Sequence, residues 1–291
     1  MTGSDRTESL SNTVDDATRD SVFAVRGVTV RRAGRTLVDD VSFDVRAGEV
    51  LAGMGPNGAG KSTLLAAMAG DFRPTRGSIA LNGRDLGAWS AGDQARSRAV
   101  LTQTAGLTLP LTAFDIALLG RLPHHGGHPG AGDRALARDA LARAGALALA
   151  ARAYPTLSGG EQARVMLARA FAQVLRYGAT TVEEPDAHER PRALLLDEPL
   201  AAFDVARQHA AFAAIRAVAT DARCAVVAVL HDANLAMRHA DRVALLRDGR
   251  LTAIGPVDTT LTERALGDCF SIRVRRLADP DGGAPLLLAT G

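Results

Sequence analysis

Residues 49–70 read EVLAGMGPNGAGKSTLLAAMAG, and three kinds of local structure follow one another within them. EVLAGMG is a short apolar run closed by glycines, the pattern of a buried strand. KSTLLAAMAG then places Leu64, Leu65 and Met68 at helical spacing. The turn between them, GPNGAGKST from Gly55 to Thr63, fits G-x-x-x-x-G-K-[ST]. A strand before it and a helix after it are the context in which that pattern cradles phosphate. Gly55, Gly58 and Gly60, with Pro56, Asn57 and Ala59 between them, leave backbone N–H groups free to wrap a phosphate chain. Lys61 can reach the β- and γ-phosphates, Ser62 can ligate Mg²⁺, and Thr63 can bond a phosphate oxygen.

A second anion site is legible at residues 155–165, PTLSGGEQARV. Ser158 and Glu161 form a capping-box pattern at the start of a strong helix. Gly159 and Gly160 between them leave that helix start bare, and its positive macrodipole end attracts an anion.

Farther out the chain alternates strands and helices, which argues an α/β core. Val41, Phe43 and Val45 alternate with polar residues, the mark of half-buried strands near the N-terminus. ALLLDEP is a buried parallel strand whose tip carries Asp197 and Glu198. Ligands bind at such carboxyl ends, so Asp197 is placed to support Mg²⁺ and Glu198 to orient or deprotonate a water. CAVVAVLHD is another buried strand and carries His231 at its end; RVALLRDGRL reads as a hairpin turning at Asp248-Gly249. Residues from about 98 to 165 read as a largely helical subdomain, with Asp133 as a helix N-cap. Residues 1–21 read as a disordered polar tail, and 273–291 as an extension without a functional signal. The acidic stretch at about 178–192 and the loop bearing His124, His125 and His128 read as solvated insertions. That loop is a poor metal site, because no carboxylate or Cys accompanies the histidines.

The bulk numbers exclude several classes. The 291 residues carry 34 Lys+Arg against 32 Asp+Glu, so charge gives no reason to expect a nucleic-acid partner. Two cysteines, Cys224 and Cys269, are too few for a disulfide framework. No secretory leader and no apolar run long enough to span a membrane is expected. With aromatics at only 4%, the core must be aliphatic.

Together these motifs resemble the ATP-binding-cassette (ABC) ATPases over about residues 22–272. GPNGAGKST is its Walker A motif, LSGGEQ its signature, ALLLDEP its Walker B, AAFD its D-loop, Gln103 its Q-loop residue and His231 its switch histidine. The resemblance implies an α/β P-loop NTPase core with a mixed sheet, an N-terminal antiparallel β part and a helical subdomain. It implies ATP and Mg²⁺ as cofactors, with Gln103 contacting Mg²⁺ or water beside Ser62 and Asp197. Because the chain has one P-loop and one signature, it implies a head-to-tail dimer in which Ser158, Gly159, Gly160 and Glu161 face the nucleotide held by the other copy.

Two departures stand out. The usual adenine-stacking aromatic is missing from VTVRRAGR, leaving Arg31 or Arg32 to stack instead, and AAFD replaces the commoner SALD. Within the family, LTQTAGLTLPLTAFDIALLGRLPH resembles importers of iron chelates, heme and cobalamin, and the chain looks most like the ATPase subunits of hemin importers. That implies an integral-membrane permease dimer, an indirect periplasmic heme-binding partner, and a peripheral place on the cytoplasmic face of the inner membrane. The rival readings are a siderophore or cobalamin importer and a soluble, non-transport ABC ATPase.

Overall fold

The computed structural model describes residues 21–102, 110–176, 190–279 and 282–290. The tail (except Ser21), Gln103 and most of the acidic insertion therefore lie outside the described residues.

The frame is a six-stranded sheet of order β10-β9-β3-β8-β7-β6. Its strands are β3 (Val50–Met54), β6 (Arg98–Leu101), β7 (Ala193–Asp197), β8 (Ala225–Val229), β9 (Arg242–Arg247) and β10 (Arg250–Pro256). All neighbours pair in parallel except β9 and β10, so the sheet is mixed. β6 corrects one boundary: Arg98–Leu101 pairs with β7 inside the core sheet, so the helical region begins after it.

Strand period two divides the core. Val50, Ala52, Leu194, Leu196, Val226, Ala228, Val243 and Leu245 pack into one cluster, while Leu51, Leu195, Val227, Ala244 and Leu246 pack into the other. Both faces are covered, which is why these strands read as continuous apolar runs. One face carries helix α1 (Lys61–Ala69) and the antiparallel sheet β2-β1-β4-β5, in which β1 is Ser21–Arg32 and β2 is Arg35–Arg46. β4 (Arg76–Leu81) and β5 (Arg84–Asp85) complete that sheet, followed by helix α2 (Ala91–Ser97). The other face carries the helical region: α3 (Ala113–Leu119), α4 (Leu122–His125), α5 (Ala131–Arg143) and α6 (Gly159–Val174). Beyond β7 come α7 (Val205–Asp221), α8 (Ala233–His239), α9 (Val257–Thr260) and α10 (Glu263–Phe270). The chain closes in a hairpin of β11 (Val274–Leu277) and β12 (Leu286–Ala289) that the sequence did not announce.

Helix α6 ends inside the protein, where its last carbonyls need donors. Arg121 donates to Ala172 O at 2.8 Å and Leu175 O at 3.0 Å. Arg192 donates to the Gln173, Val174 and Leu175 carbonyls at 3.2, 3.2 and 2.9 Å. His124 Nε2 lies 2.9 Å from Gln173 O and must donate to it. His124 is thus a helix-end cap rather than part of a solvated loop. Asp133 is corrected too. It sits at the third position of α5, accepts from Gly130 N at 3.1 Å, and pairs with Arg121 Nε at 3.1 Å.

Arg121 serves two carbonyls and a carboxylate while its side chain is only 8% exposed. Arg121→Ala should cost about 1–3 kcal/mol in denaturant unfolding, since the buried Ala172 and Leu175 carbonyls would lose this donor. Arg121→Lys should restore only part, because one ammonium cannot span all three acceptors. Burial, then the charges of Arg192 and Arg121, hold the His124 pKa down at about 4. A histidine depressed in the native state stabilises fully above its unfolded value of 6.5, and that contribution fades as pH falls toward 4. His124→Gln keeps an N–H donor without the proton site. Thermal melts across that range should therefore show the variant losing less stability than wild type.

Candidate functional site

The turn after β3 is built on missing side chains. Gly55 has φ 153°, and a Cβ there would fall 2.0 Å from Leu246 O. Gly60 has φ 95°, and its Cβ would fall 2.3 Å from Leu37 O. Any other residue at either position must push backbone aside. Gly60 starts α1 with no side-chain cap and no acidic residue in the first turn, so the helix keeps its positive end for an anion. Lys61 is buried, donating to Gly55 O at 2.7 Å and Pro56 O at 3.0 Å. Burial lowers its pKa, and the charges of Glu198 and Asp197 act against that.

Because β8 lies between β3 and β7, three strand ends converge at the turn. Ser62 Oγ donates to Asp197 Oδ1 at 3.1 Å. Burial raises the Asp197 pKa and the Glu198 charge adds to it, while the Ser62 hydrogen bond, Lys61 and His231 oppose. Glu198 has φ 49°, a left-handed conformation that a non-glycine residue adopts at a cost. His231 Nε2 lies 2.6 Å from Glu198 Oε1. A cavity of about 570 Å³ opens there, lined by Leu37, residues 57–63, Glu198 and His231. An anion entering it would meet the backbone N–H groups of the turn and Lys61, with the Glu198 carboxylate and His231 in the same wall.

The signature residues are not part of that lining. Ser158 caps α6 as the capping-box pattern predicts: Glu161 Oε2 accepts from Ser158 N at 2.8 Å, and Ser158 Oγ accepts from Glu161 N at 3.4 Å. The Ser158 backbone N–H, followed by its hydroxyl, holds the Glu161 carboxyl below its ordinary value. Space around Gly159 is open, whereas a Cβ at Gly160 would come 3.3 Å from Ala202 O. The helix start therefore rests on the AAFD loop, whose Asp204 caps α7 by accepting from Arg207 N at 2.9 Å. The Arg32 guanidinium already lies over the Phe72 ring, 3.9 Å from its centroid.

Residue patterns missed some of the support. Gly249, in the β9–β10 turn, donates to Ala59 O at 3.2 Å and accepts from Asp39 N at 2.8 Å, tying the phosphate-binding turn to β2. The Asp-Gly pair announced a turn, and nothing in the sequence said what it would touch. Leu37 likewise carries no signal until the fold sets it over Gly60.

The comparisons with known proteins agree with this geometry. An ABC transporter family model matches residues 38–176. The chain is 46% identical over 265 residues to the hemin import ATP-binding protein HmuV of Gloeobacter violaceus, spanning 91% of this chain and 93% of that one. It is 41% identical to the protein of the same name from Thermobifida fusca, spanning 92% and 88%. Among solved structures, a chain of an inward-facing transporter described as of the metal-chelate type superposes with TM-score 0.75 at 24% identity, covering 94% of this chain and 98% of its own. A dimeric bacterial ABC transporter cassette gives TM-score 0.67 at 25% identity, covering 81% and 98%. With such relatives matched over nearly its whole length, the chain belongs to the ATP-binding, ATP-hydrolysing subunits of the ABC transporter family.

Proposed function

We propose that this chain is the energy-coupling subunit of a hemin importer. It would bind MgATP between its phosphate turn and the signature of a second copy, and pass the closing and opening of that dimer to a membrane permease. The observation that carries the reading is the division of the site. Walker A, Walker B and His231 line one cavity, and the helix start at Ser158–Glu161 stands outside it with Gly159 open to approach. Half of a nucleotide site in each copy is what a head-to-tail pair would complete.

Each role follows from chemistry. The N–H groups of residues 57–63 and the Lys61 ammonium would hold the phosphates, with Thr63 at the helix start. The Ser62 hydroxyl and Asp197 carboxylate, 3.1 Å apart, are hard oxygen donors of the kind Mg²⁺ selects. They would hold the ion together with Gln103, and it would supply charge neutralisation between the β- and γ-phosphates. Glu198 would orient or deprotonate the attacking water, and His231, already at its carboxylate, would fix that carboxylate and reach the γ-phosphate. Positioning and electrostatics are sufficient for phosphoryl transfer. We assign the ATPase unit to residues 22–272. No described helix is long and apolar enough to cross a membrane. Attachment to the cytoplasmic face of the inner membrane would therefore come through a permease dimer, with a periplasmic heme-binding protein beyond it. The names of the curated relatives support hemin as cargo, and the metal-chelate neighbour keeps siderophores and cobalamin as the next reading.

Lys61→Ala should abolish ATP binding, read by nucleotide titration. Glu198→Gln should retain binding and lower kcat by about a hundredfold or more, trapping a dimer visible by size-exclusion chromatography with ATP. Wild-type turnover in Glu198→Gln would remove Glu198 from the chemistry. For the cargo, the chain would be reconstituted with its permease in liposomes. Heme-loaded binding protein should raise ATP hydrolysis, and stimulation by a siderophore- or cobalamin-loaded protein instead would move the assignment.

A further inference from the structure

We propose that the C-terminal hairpin β11–β12 positions the switch histidine, and that Asn234 is the residue through which it acts. The inference rests on the ATPase reading of His231.

His231 stands between two anchors. On its N-terminal side Leu230 N donates to Gly53 O at 3.0 Å, fixing the chain to β3. On the other side begins α8, only seven residues long. A helix that short does not hold itself together, so tertiary contacts must fix its first turn. Asp232 caps it, accepting from Asn234 N at 2.8 Å and Leu235 N at 3.3 Å. Among the described residues the other polar anchor in that turn is the Asn234 side chain, and its partner is 53 residues away. Asn234 Nδ2 donates to Leu287 O at 3.1 Å, and Leu287 N donates to Asn234 Oδ1 at 2.7 Å. The carboxamide thus bonds one residue of β12 as a neighbouring strand would.

The hairpin's pairing explains why Leu287 is free for this. Thr290 N donates to Arg273 O, and the registered pairs run inward from there, Arg275 with Leu288 and Arg276 with Leu287. Antiparallel pairs alternate between bonded and non-bonded, so Arg276 and Leu287 turn their amides outward. The outward amide of Arg276 donates to Glu263 Oε1 at 2.7 Å, at the start of α10. The outward edge of Leu287 is taken by Asn234, and the Leu287 side chain is buried in the main core cluster. The hairpin therefore bridges α8 and α10. Helix α10 in turn reaches β9, where Cys269 Sγ approaches Leu246 O at 3.5 Å, the same carbonyl that crowds Gly55. The C-terminal segment links the histidine at one wall of the cavity to the strand that backs the phosphate turn.

The test uses Asn234→Ala in the full-length chain. We expect kcat for ATP to fall about tenfold while KM and nucleotide affinity change less than twofold, because phosphate binding is untouched and only the His231 geometry loosens. Amide exchange should speed up across residues 230–236 and stay unchanged across 61–69. A chain ending at Arg273 loses this bond together with the Arg276–Glu263 contact and the buried Leu287 side chain, so its kcat should fall at least as far, and adding Asn234→Ala to it should lower kcat no further. Asn234→Asp, which keeps the acceptor for Leu287 N–H and loses the donor to its carbonyl, should fall in between; this variant decides the matter if the shortened chain does not fold. Wild-type kcat and wild-type exchange in Asn234→Ala would overturn the proposal. So would a joint loss of affinity, kcat and thermal stability, which would mark a merely structural contact. A wild-type chain without ATPase activity would refute the ATPase reading instead, and the exchange pattern would still decide whether the hairpin holds the His231 segment.

Discussion

The cavity wall that the glycine-rich sequence forms rests on a turn that two positions can make only without a side chain. Between Met54 and Lys61 the backbone presses against two carbonyls, Leu246 O and Leu37 O, at points where a Cβ would sit 2.0 and 2.3 Å away. Those carbonyls belong to different structures, one to the core sheet and one to the N-terminal antiparallel sheet. The turn is therefore clamped between two sheets as well as suspended from the end of β3. Lys61 reinforces the clamp by bonding the carbonyls of Gly55 and Pro56. A loop with this much glycine would otherwise be costly to order. Its contacts are what turn a flexible segment into a fixed array of N–H groups.

The same logic extends around the cavity. Asp197 ends β7, Glu198 follows it directly, and His231 lies just beyond the buried strand β8, so their backbones are anchored by the sheet. The left-handed backbone at Glu198 is a local cost that the surrounding packing absorbs. It aims one carboxylate at the histidine while the adjacent one faces the Ser62 hydroxyl. Two acids adjacent in sequence thereby acquire different partners.

The helical region is held by another kind of polar economy. The buried end of α6 is capped by Arg121, Arg192 and His124, residues that come from before and after it in the chain. This joins the helix that starts at the signature to the strand that leads into Asp197 and Glu198, since Arg192 immediately precedes β7. Gly160 makes the matching contact at the helix's other end, resting on Ala202. The signature helix thus touches the chain on both sides of the Walker B segment, at Arg192 and at Ala202.

The sequence by itself determined the parts whose chemistry is local. A strand, a glycine turn and a helix in succession need only neighbouring residues to be recognised, and so do the capping box at Ser158 and the Asp-Gly hairpin. These are legible because their hydrogen bonds close within a few positions, whereas the two acids of ALLLDEP find their partners Ser62 and His231 far along the chain. What only the tertiary structure decided are the contacts between distant segments. Arg98–Leu101 sits next to a helix-rich stretch, and its place in the core sheet depends on pairing with β7, almost a hundred residues on. His124 looked like part of a loose loop because the carbonyl it caps lies 49 positions away. The last residues looked empty because Leu287 offers only an apolar side chain and a backbone amide, and its meaning comes from Asn234. Pattern and spacing report what a residue can do. Which group it does it to is fixed by packing, because chain entropy lets distant segments meet only when the whole core forms.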